Sequence, residues 1–370
     1  KSEKNVICAK HSAASMACCP CWEGVFGAAE AKLTLQNRKV PVSALILGCA
    51  PIGCGWAGDV PESTAESTVL QALSLGIRYV DTAPWYGAGL SEQRLGKALA
   101  TAQSTTKEQV AISTKVGRYM VTKTDAPSFG TRIDSGYDFN TDAYHNNVPV
   151  WDYRKEGTEE SLRQSRQRLQ RNFIDCLRVH DAEDPARWEE ACGTDGAVAT
   201  LLALREKGEI GQVSLGFNSV PYLMKTIQKY PTGTFDNIMM ARTWNLLDQS
   251  SYPLLLECQK RGIKIHLAAV FCAGLLWGQN FFMYRSEIPP ELTEKVQRWK
   301  ELSASFGFSL PQVALAFAFL PSCVERIAVG CASPDQVRGN VELCDVKVPL
   351  ELWQKAQASG LLPQHLHISE

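Results

Sequence analysis

The chain has 370 residues, 45% of them hydrophobic, which is enough for a sizeable core in one large domain or two ordinary ones. Its 39 acids nearly balance 38 lysines and arginines, for a net charge of −1, and no basic block points to nucleic acid or to an anionic membrane. No apolar run approaches the roughly 18–20 residues that a membrane span needs, so the chain is not expected to be an integral membrane protein.

The first segment, "ICAKHSAASMACCPCW", carries Cys8, Cys18, Cys19 and Cys21 near His11. A structural zinc site wants two well-spaced pairs, and this spacing is cramped. The expectation is an irregular Cys-rich arm over residues 1–35, with no metal, that is either a processing remnant or a contact for a protein partner through residues 1–30. The chain begins at Lys1 rather than Met, which fits removal of a targeting segment or a trimmed terminus. Most other cysteines, such as Cys49, Cys176, Cys272 and Cys331, sit singly in apolar runs. That is the pattern of buried free thiols in a reducing compartment. The expectation is therefore a soluble intracellular protein of the cytoplasm, or of a plastid or mitochondrion.

After residue 40, β-rich runs alternate with amphipathic ones. The predicted strands are 44–49, 78–83, 110–115, 175–180, 212–217, 237–242, 264–269 and 326–331. Between them "ESTVLQALSLG", "TEESLRQSRQRLQ", "VATLLALREKG", "SYPLLLECQKRG" and "PQVALAFAFL" read as helices. Alternation of this kind implies a parallel sheet with right-handed crossovers. Eight units in about 300 residues suit an α/β fold of the closed (β/α)₈ type, a TIM barrel, over residues 36–370. An open doubly wound sheet is the alternative, but its G-x-G-x-x-G turn is not matched by "GCAPIGCG". Residues 120–156, after the third strand, show no clear element and read as an extended loop over the active face.

Side chains at the C-terminal ends of barrel strands converge on one mouth. Asp81, Lys115 and His180 fall at three such ends, and Tyr86 follows Asp81 on a glycine-rich loop. Singly, such an Asp caps a turn, a Lys snorkels to solvent and a His packs a core. Together they make chemical sense. A buried ammonium beside a phenol favours the phenolate, an acid keeps that cation from being buried alone, and a neutral imidazole orients a substrate oxygen. The result is a proton donor aimed at a carbonyl or a base aimed at an alcohol, whose natural complement is a hydride cofactor.

Six segments in order carry a family resemblance: "DTAPWYGAGLSEQRLGKAL", "ISTKVGRY", "RVHD", "SLGFNS", "MMARTWNLLDQ" and "AVGCASPDQVRGNVE". Over about residues 40–345 the chain resembles the aldo-keto reductases, and within them the branch of aldose, D-threo-aldose and L-galactose dehydrogenases. The resemblance implies a tyrosine acid/base at Tyr86, its supporting pair at Asp81 and Lys115, and an orienting histidine at His180. It further implies Asn218 at the nicotinamide amide, Trp244 stacked on the nicotinamide in place of a tyrosine, Gly274 and Leu275 along the pyrophosphate, and Ser333, Gln336 and Asn340 at the adenosine end.

Many such reductases place Lys and Arg where this chain has Gly330 and Gln336. Without a cation for a 2′-phosphate, the expected cofactor is NAD or NADP with NAD preferred, unless Arg338 turns inward. Trp85, Tyr119 and Trp151 are expected to line a substrate pocket or to pack loops, and Asp181 to accept a sugar hydroxyl or cap a turn. The expected activity is NAD(P)-dependent oxidation of an aldose at C1, to a lactone, or interconversion of a small aldehyde and alcohol. The alternative is a barrel retained as a cofactor-binding subunit or scaffold of a larger assembly.

Overall fold

Short aliphatic and β-branched runs form eight strands: β1 (Leu45–Gly48), β2 (Tyr79–Asp81), β3 (Ala111–Val116), β4 (Ile174–His180), β5 (Ile210–Phe217), β6 (Asn237–Ala241), β7 (Lys264–Ala268) and β8 (Val324–Gly330). Each pairs in parallel with its sequence neighbours, and β8 returns to β1 through the Leu45–Ile327 to Gly48–Gly330 register. The sheet is therefore closed, and the open alternative is eliminated. The computed structural model describes residues 32–53, 59–103, 109–134, 146–279 and 287–370. The Cys-rich arm, with Cys8, Cys18, Cys19 and Cys21, lies outside the described residues apart from its last few positions.

Eight helices return the chain between strands: α1 (Glu62–Ser74), α2 (Leu90–Gln103), α3 (Lys155–Leu169), α4 (Ala197–Glu206), α5 (Val220–Lys229), α6 (Tyr252–Arg261), α7 (Leu310–Ala318) and α8 (Pro334–Glu342). Further helices span Pro185–Ala191, Pro290–Ser305 and Leu350–Ala358. The strand period of two sorts side chains between two environments. In β4, Leu177 and Val179 join the large core shared with the helices, while Cys176 packs inside the barrel with Ile46, Tyr79 and Met239. Arg178 and His180 follow Cys176 on the inward face.

The segment expected as a plain loop holds structure. Arg118–Thr122 and Asn147–Trp151 form an antiparallel hairpin, registered from Arg118–Trp151 to Thr122–Asn147, with a 3₁₀ turn at Ala126–Arg132. Five-residue strands of mixed polarity, one interrupted by Pro149, give too short a period to read from sequence. All eight described cysteines are free and buried. No described helix is long and apolar enough to cross a membrane.

The loop after β2 is set by its glycines. Gly87, Ala88 and Gly89 have φ of 65°, 51° and 99°, all left-handed. A Cβ on Gly87 would lie 1.9 Å from the Gly53 carbonyl oxygen. Gly87→Ala is therefore expected to destabilise by more than about 1 kcal/mol, from the disfavoured φ and the displaced carbonyl. Thermal denaturation reads this, and an unchanged melting temperature would refute it.

Candidate active site

Asp81, Lys115 and His180 stand on three adjacent strands because β2, β3 and β4 pair in sequence. The Lys115 ammonium donates to Asp81 Oδ2 at 2.6 Å and to the Thr82 carbonyl at 2.7 Å. Ser113, two residues earlier on the same face of β3, donates to Asp81 Oδ1 at 2.5 Å. Tyr86 is brought over this pair by its loop: Ser91 donates its N–H to the Tyr86 carbonyl at 3.1 Å and its hydroxyl to the Cys49 carbonyl at 2.7 Å. Lys115 Nζ lies 4.6 Å from the Tyr86 ring centre. The His180 ring stands edge-on to Tyr86, with centroids 6.0 Å apart.

The electrostatics suit proton transfer. Burial alone would push the Asp81 carboxyl up, but Lys115, Arg178 and the Ser113 hydroxyl outweigh it and hold it below its ordinary range. Burial lowers the Lys115 ammonium, against the pull of Asp81. Burial, reinforced by Arg118 and Lys115, drives His180 well below the usual imidazole range, so its ring is neutral near neutrality. Tyr153 donates its hydroxyl to the His180 carbonyl at 2.5 Å and steadies that strand end.

A second buried imidazole, His266 of β7, is lowered by burial to about 4. Both histidines have folded values below the unfolded one. Between about pH 4 and 6.5 the unfolded chain thus binds protons that the folded chain refuses, and stability is lost as pH falls through that window. For His266 alone the full loss is roughly 3 kcal/mol. Urea midpoints measured between pH 7 and pH 4.5 should fall accordingly, and a flat profile would contradict it.

The residues expected around a cofactor divide. Asn218 sits after β5, its side chain donating to Asp181 Oδ1 at 3.3 Å. Its backbone N–H, and that of Ser219, are accepted by Glu183, whose carboxyl burial and Asp181 push up to about 7. Gly274 (φ 110°) and buried Leu275 lie after β7 in a run where Ala269, Cys272 and Ala273 also have positive φ, and the Cys272 and Gly274 N–H groups are accepted by the Ala269 and Phe271 carbonyls. A Cβ on Gly274 would meet Gln279 Oε1 at 2.1 Å. Gly330 ends β8 opposite Gly48, and Ser333 caps α8 by accepting the Gln336 N–H at 3.3 Å. Asn340 is buried, and its Oδ1 has no hydrogen-bond partner among the described residues, an acceptor free for a ligand amine. A dinucleotide fits this set through the N-terminus of α8 and the unspent acceptor at Asn340.

Two expectations meet a different geometry. Trp244 is 2% exposed and stacks on Phe317 of α7, with centroids 5.2 Å apart and planes 18° from parallel. Phe317 covers one face, so stacking on a nicotinamide, as the sequence suggests, would have to use the other face. Arg338 does not turn inward: it pairs with Asp335 and donates to Gln71 Oε1 at 3.1 Å.

Among the expected pocket residues, Trp85 stands at the site, edge-on to His180 at 6.4 Å and under the Arg118 guanidinium at 5.3 Å. Asp181, in the left-handed region at φ 47°, accepts from Arg118 at 3.2 Å and lies 3.5 Å from His180 Nε2. Tyr119 packs edge-on against Phe129. The guanidinium groups of Arg132 and Arg187 lie 4.6 Å and 5.3 Å from the Trp151 ring, whose indole N–H donates to the Thr131 carbonyl beside the hairpin.

Sequence reading did not single out Arg118, Arg178 or Glu183. Arg118 is buried between Asp134 and Asp181. Arg178 bonds Asp81 from below at 3.2 Å. For Arg178 a signal existed: it lies two residues before His180, hence on the same inward face.

The aldo/keto reductase family model matches residues 44–359. This chain is an aldo/keto reductase. It is 31% identical to a pyridoxal 4-dehydrogenase of Microbacterium luteolum, over 90% of this chain and 98% of that protein. It is 28% identical to a D-threo-aldose 1-dehydrogenase of a Pseudomonas species, over 87% and 95%, and 28% identical to the L-galactose dehydrogenase of Arabidopsis thaliana, over 83% and 86%. Among solved structures, a glycerol dehydrogenase from Gluconobacter oxydans shares the fold with a TM-score of 0.67 at 21% identity, covering 90% of this chain and 95% of that one. This reductase is therefore an NAD(P)-dependent oxidoreductase on a TIM barrel.

Proposed function

We propose that this reductase oxidises an aldose at C1, or interconverts a small aldehyde and its alcohol, with Tyr86 as the general acid/base. The observation that carries this reading is the Lys115 ammonium, locked to Asp81 at 2.6 Å and lying 4.6 Å from the Tyr86 ring. That cation lowers the cost of the phenolate, so the Tyr86 hydroxyl can take a proton from an alcohol or return it to a carbonyl oxygen. Neutral His180 hydrogen-bonds the same substrate oxygen and fixes its direction. Trp85 covers one side of the substrate and excludes water, while Asp181 accepts a hydroxyl, which suits a polyol. A bound nicotinamide supplies or accepts the hydride.

Asn218, Gly274, Leu275, Gly330, Ser333, Gln336 and Asn340 are the residues assigned to hold the dinucleotide. NAD is assigned as the preferred form, because Arg338 is engaged with Asp335 and Gln71 and the Gln336 side chain accepts the Ala332 N–H at 2.7 Å. The aldose assignment draws on the names of two relatives, a D-threo-aldose 1-dehydrogenase and an L-galactose dehydrogenase.

A spectrophotometric screen following nicotinamide absorbance tests the reading, with NAD and NADP against L-galactose, L-fucose, D-arabinose, pyridoxal and simple aldehydes. Turnover with at least one of the sugars or aldehydes, and NAD used at least as well as NADP, is the expected result. Absence of turnover in either direction would favour a cofactor-binding subunit instead. Residues 36–370 are assigned as the catalytic unit, and removal of residues 1–31 is expected to leave turnover unchanged.

A further inference from the structure

We propose that Arg178 is a positioning residue for the proton-transfer site, one that shares Asp81 with Lys115 and so leaves the Lys115 charge free to act on Tyr86. The proposal rests on the assignment of Tyr86 above. Arg178 is fully buried on the inward face of β4, one layer below His180. Its Nε donates to Asp81 Oδ1 at 3.2 Å, Nη1 to Asn237 Oδ1 at 2.6 Å and to the Ser214 hydroxyl, and Nη2 to His266 Nδ1 at 2.7 Å. The four acceptors of the fork come from four different strands: β2, β5, β6 and β7.

The far end of this chain of bonds is fixed by donor rules. A guanidinium only donates, so His266 Nδ1 accepts and Nε2 carries the hydrogen. That hydrogen points to Glu325 Oε2 at 3.1 Å. Glu325 reaches the ring because β8 bulges there: Ile265 pairs with Val324 and His266 with Arg326, which leaves Glu325 as the extra residue. A neutral imidazole thereby anchors Arg178 without cancelling its charge.

Asp81 is one negative group between two cations, with Oδ2 on Lys115 and Oδ1 on Arg178 and Ser113. Both cation stems run past Gly216: a Cβ there would lie 3.6 Å from Arg178 Cδ and 3.7 Å from Lys115 Cε. In a lone Lys115–Asp81 pair the carboxylate would offset part of the ammonium's effect on Tyr86. With Arg178 present the cluster keeps a net positive charge beneath the phenol. An apolar side chain would fill the same layer without the cost of dehydrating a guanidinium. The groups facing Arg178 are Asp81 and Tyr79 of β2, Lys115 of β3, Cys176 of β4, Ser214 of β5, Asn237 of β6 and His266 of β7, with Glu325 of β8 behind His266. Tyr86 itself is faced by Lys115 and His180, with Arg118 beyond Trp85 and its partner Asp181 3.5 Å from His180 Nε2, where the Asp181 carboxylate also acts on Lys115.

The test is a pH titration of the full chain labelled with carbon-13 at tyrosine Cζ, the Tyr86 signal being assigned by its absence in Tyr86→Phe. In Arg178→Met the Tyr86 midpoint is expected to rise by about one pH unit, a tenfold loss of phenolate at fixed pH, while Arg178→Lys restores most of it. The acid limb of kcat/KM for oxidation should move by the same amount, whereas a merely structural role would lower activity without moving the limb. Arg178→Gln, whose amide still bonds within the barrel, is the second variant, with folding checked by circular dichroism. A folded Met or Gln variant with the parental Tyr86 midpoint overturns the proposal. The titration needs no turnover, so it stays separate from the functional reading, which fails instead if Tyr86→Phe turns over normally.

Discussion

Tyr86→Phe is expected to lower kcat by about 10²–10⁴-fold with KM little changed, the usual worth of a positioned acid/base. The ring of the variant keeps its packing against Lys115 and His180, so binding survives and only the proton route is lost. The loop itself is held by Ser91 and by the left-handed Gly87–Gly89 run, neither of which uses the phenol hydroxyl. The loss in kcat should therefore exceed what any change in melting temperature explains. Steady-state kinetics on the best substrate from the screen decide it, and a kcat within a few-fold of the parent would remove Tyr86 from the chemistry.

Asp81→Asn is expected to cost both stability and turnover. The amide keeps the shape of the carboxylate but leaves Lys115 and Arg178 buried without their shared counter-ion. Removing one partner of a buried pair typically costs about 3–5 kcal/mol. The parent carboxyl is held below its ordinary value, so its contribution is present at neutral pH and is lost only as pH falls through that depressed value. The penalty of the variant should accordingly be full at pH 7 and shrink toward strong acid. Urea unfolding across pH reads this. Adding Arg178→Met to Asp81→Asn should cost less than the two losses summed, because one of the two stranded cations is then gone. Strict additivity would mean that Arg178 and Asp81 do not act on one another.

Much of this was legible from the chain alone. The eight strands and five of the helices between them are local patterns, and apolar runs bounded by caps and glycines survive whatever surrounds them. The group Asp81, Tyr86, Lys115 and His180 was legible for a related reason: each marks a strand end or the loop just after one, and a barrel gathers strand ends at one mouth. The hairpin over Arg118–Thr122 and Asn147–Trp151 was not, because two five-residue strands separated by 24 residues are defined by pairing with each other rather than by their own composition.

What only the tertiary structure decided were contacts between residues remote in sequence. Arg178 meets Asp81 across 97 positions and His266 across 88, and only closure of the barrel brings those three strands to one interior layer. Trp244 fits a cofactor segment by sequence, yet Phe317 of α7 covers one face of its ring. Arg338 lies beside the adenosine segment by sequence, yet Asp335 and Gln71 draw its side chain away. A residue's address on a strand is local information. The direction in which an indole or guanidinium turns depends on which remote partners the closed barrel sets beside it.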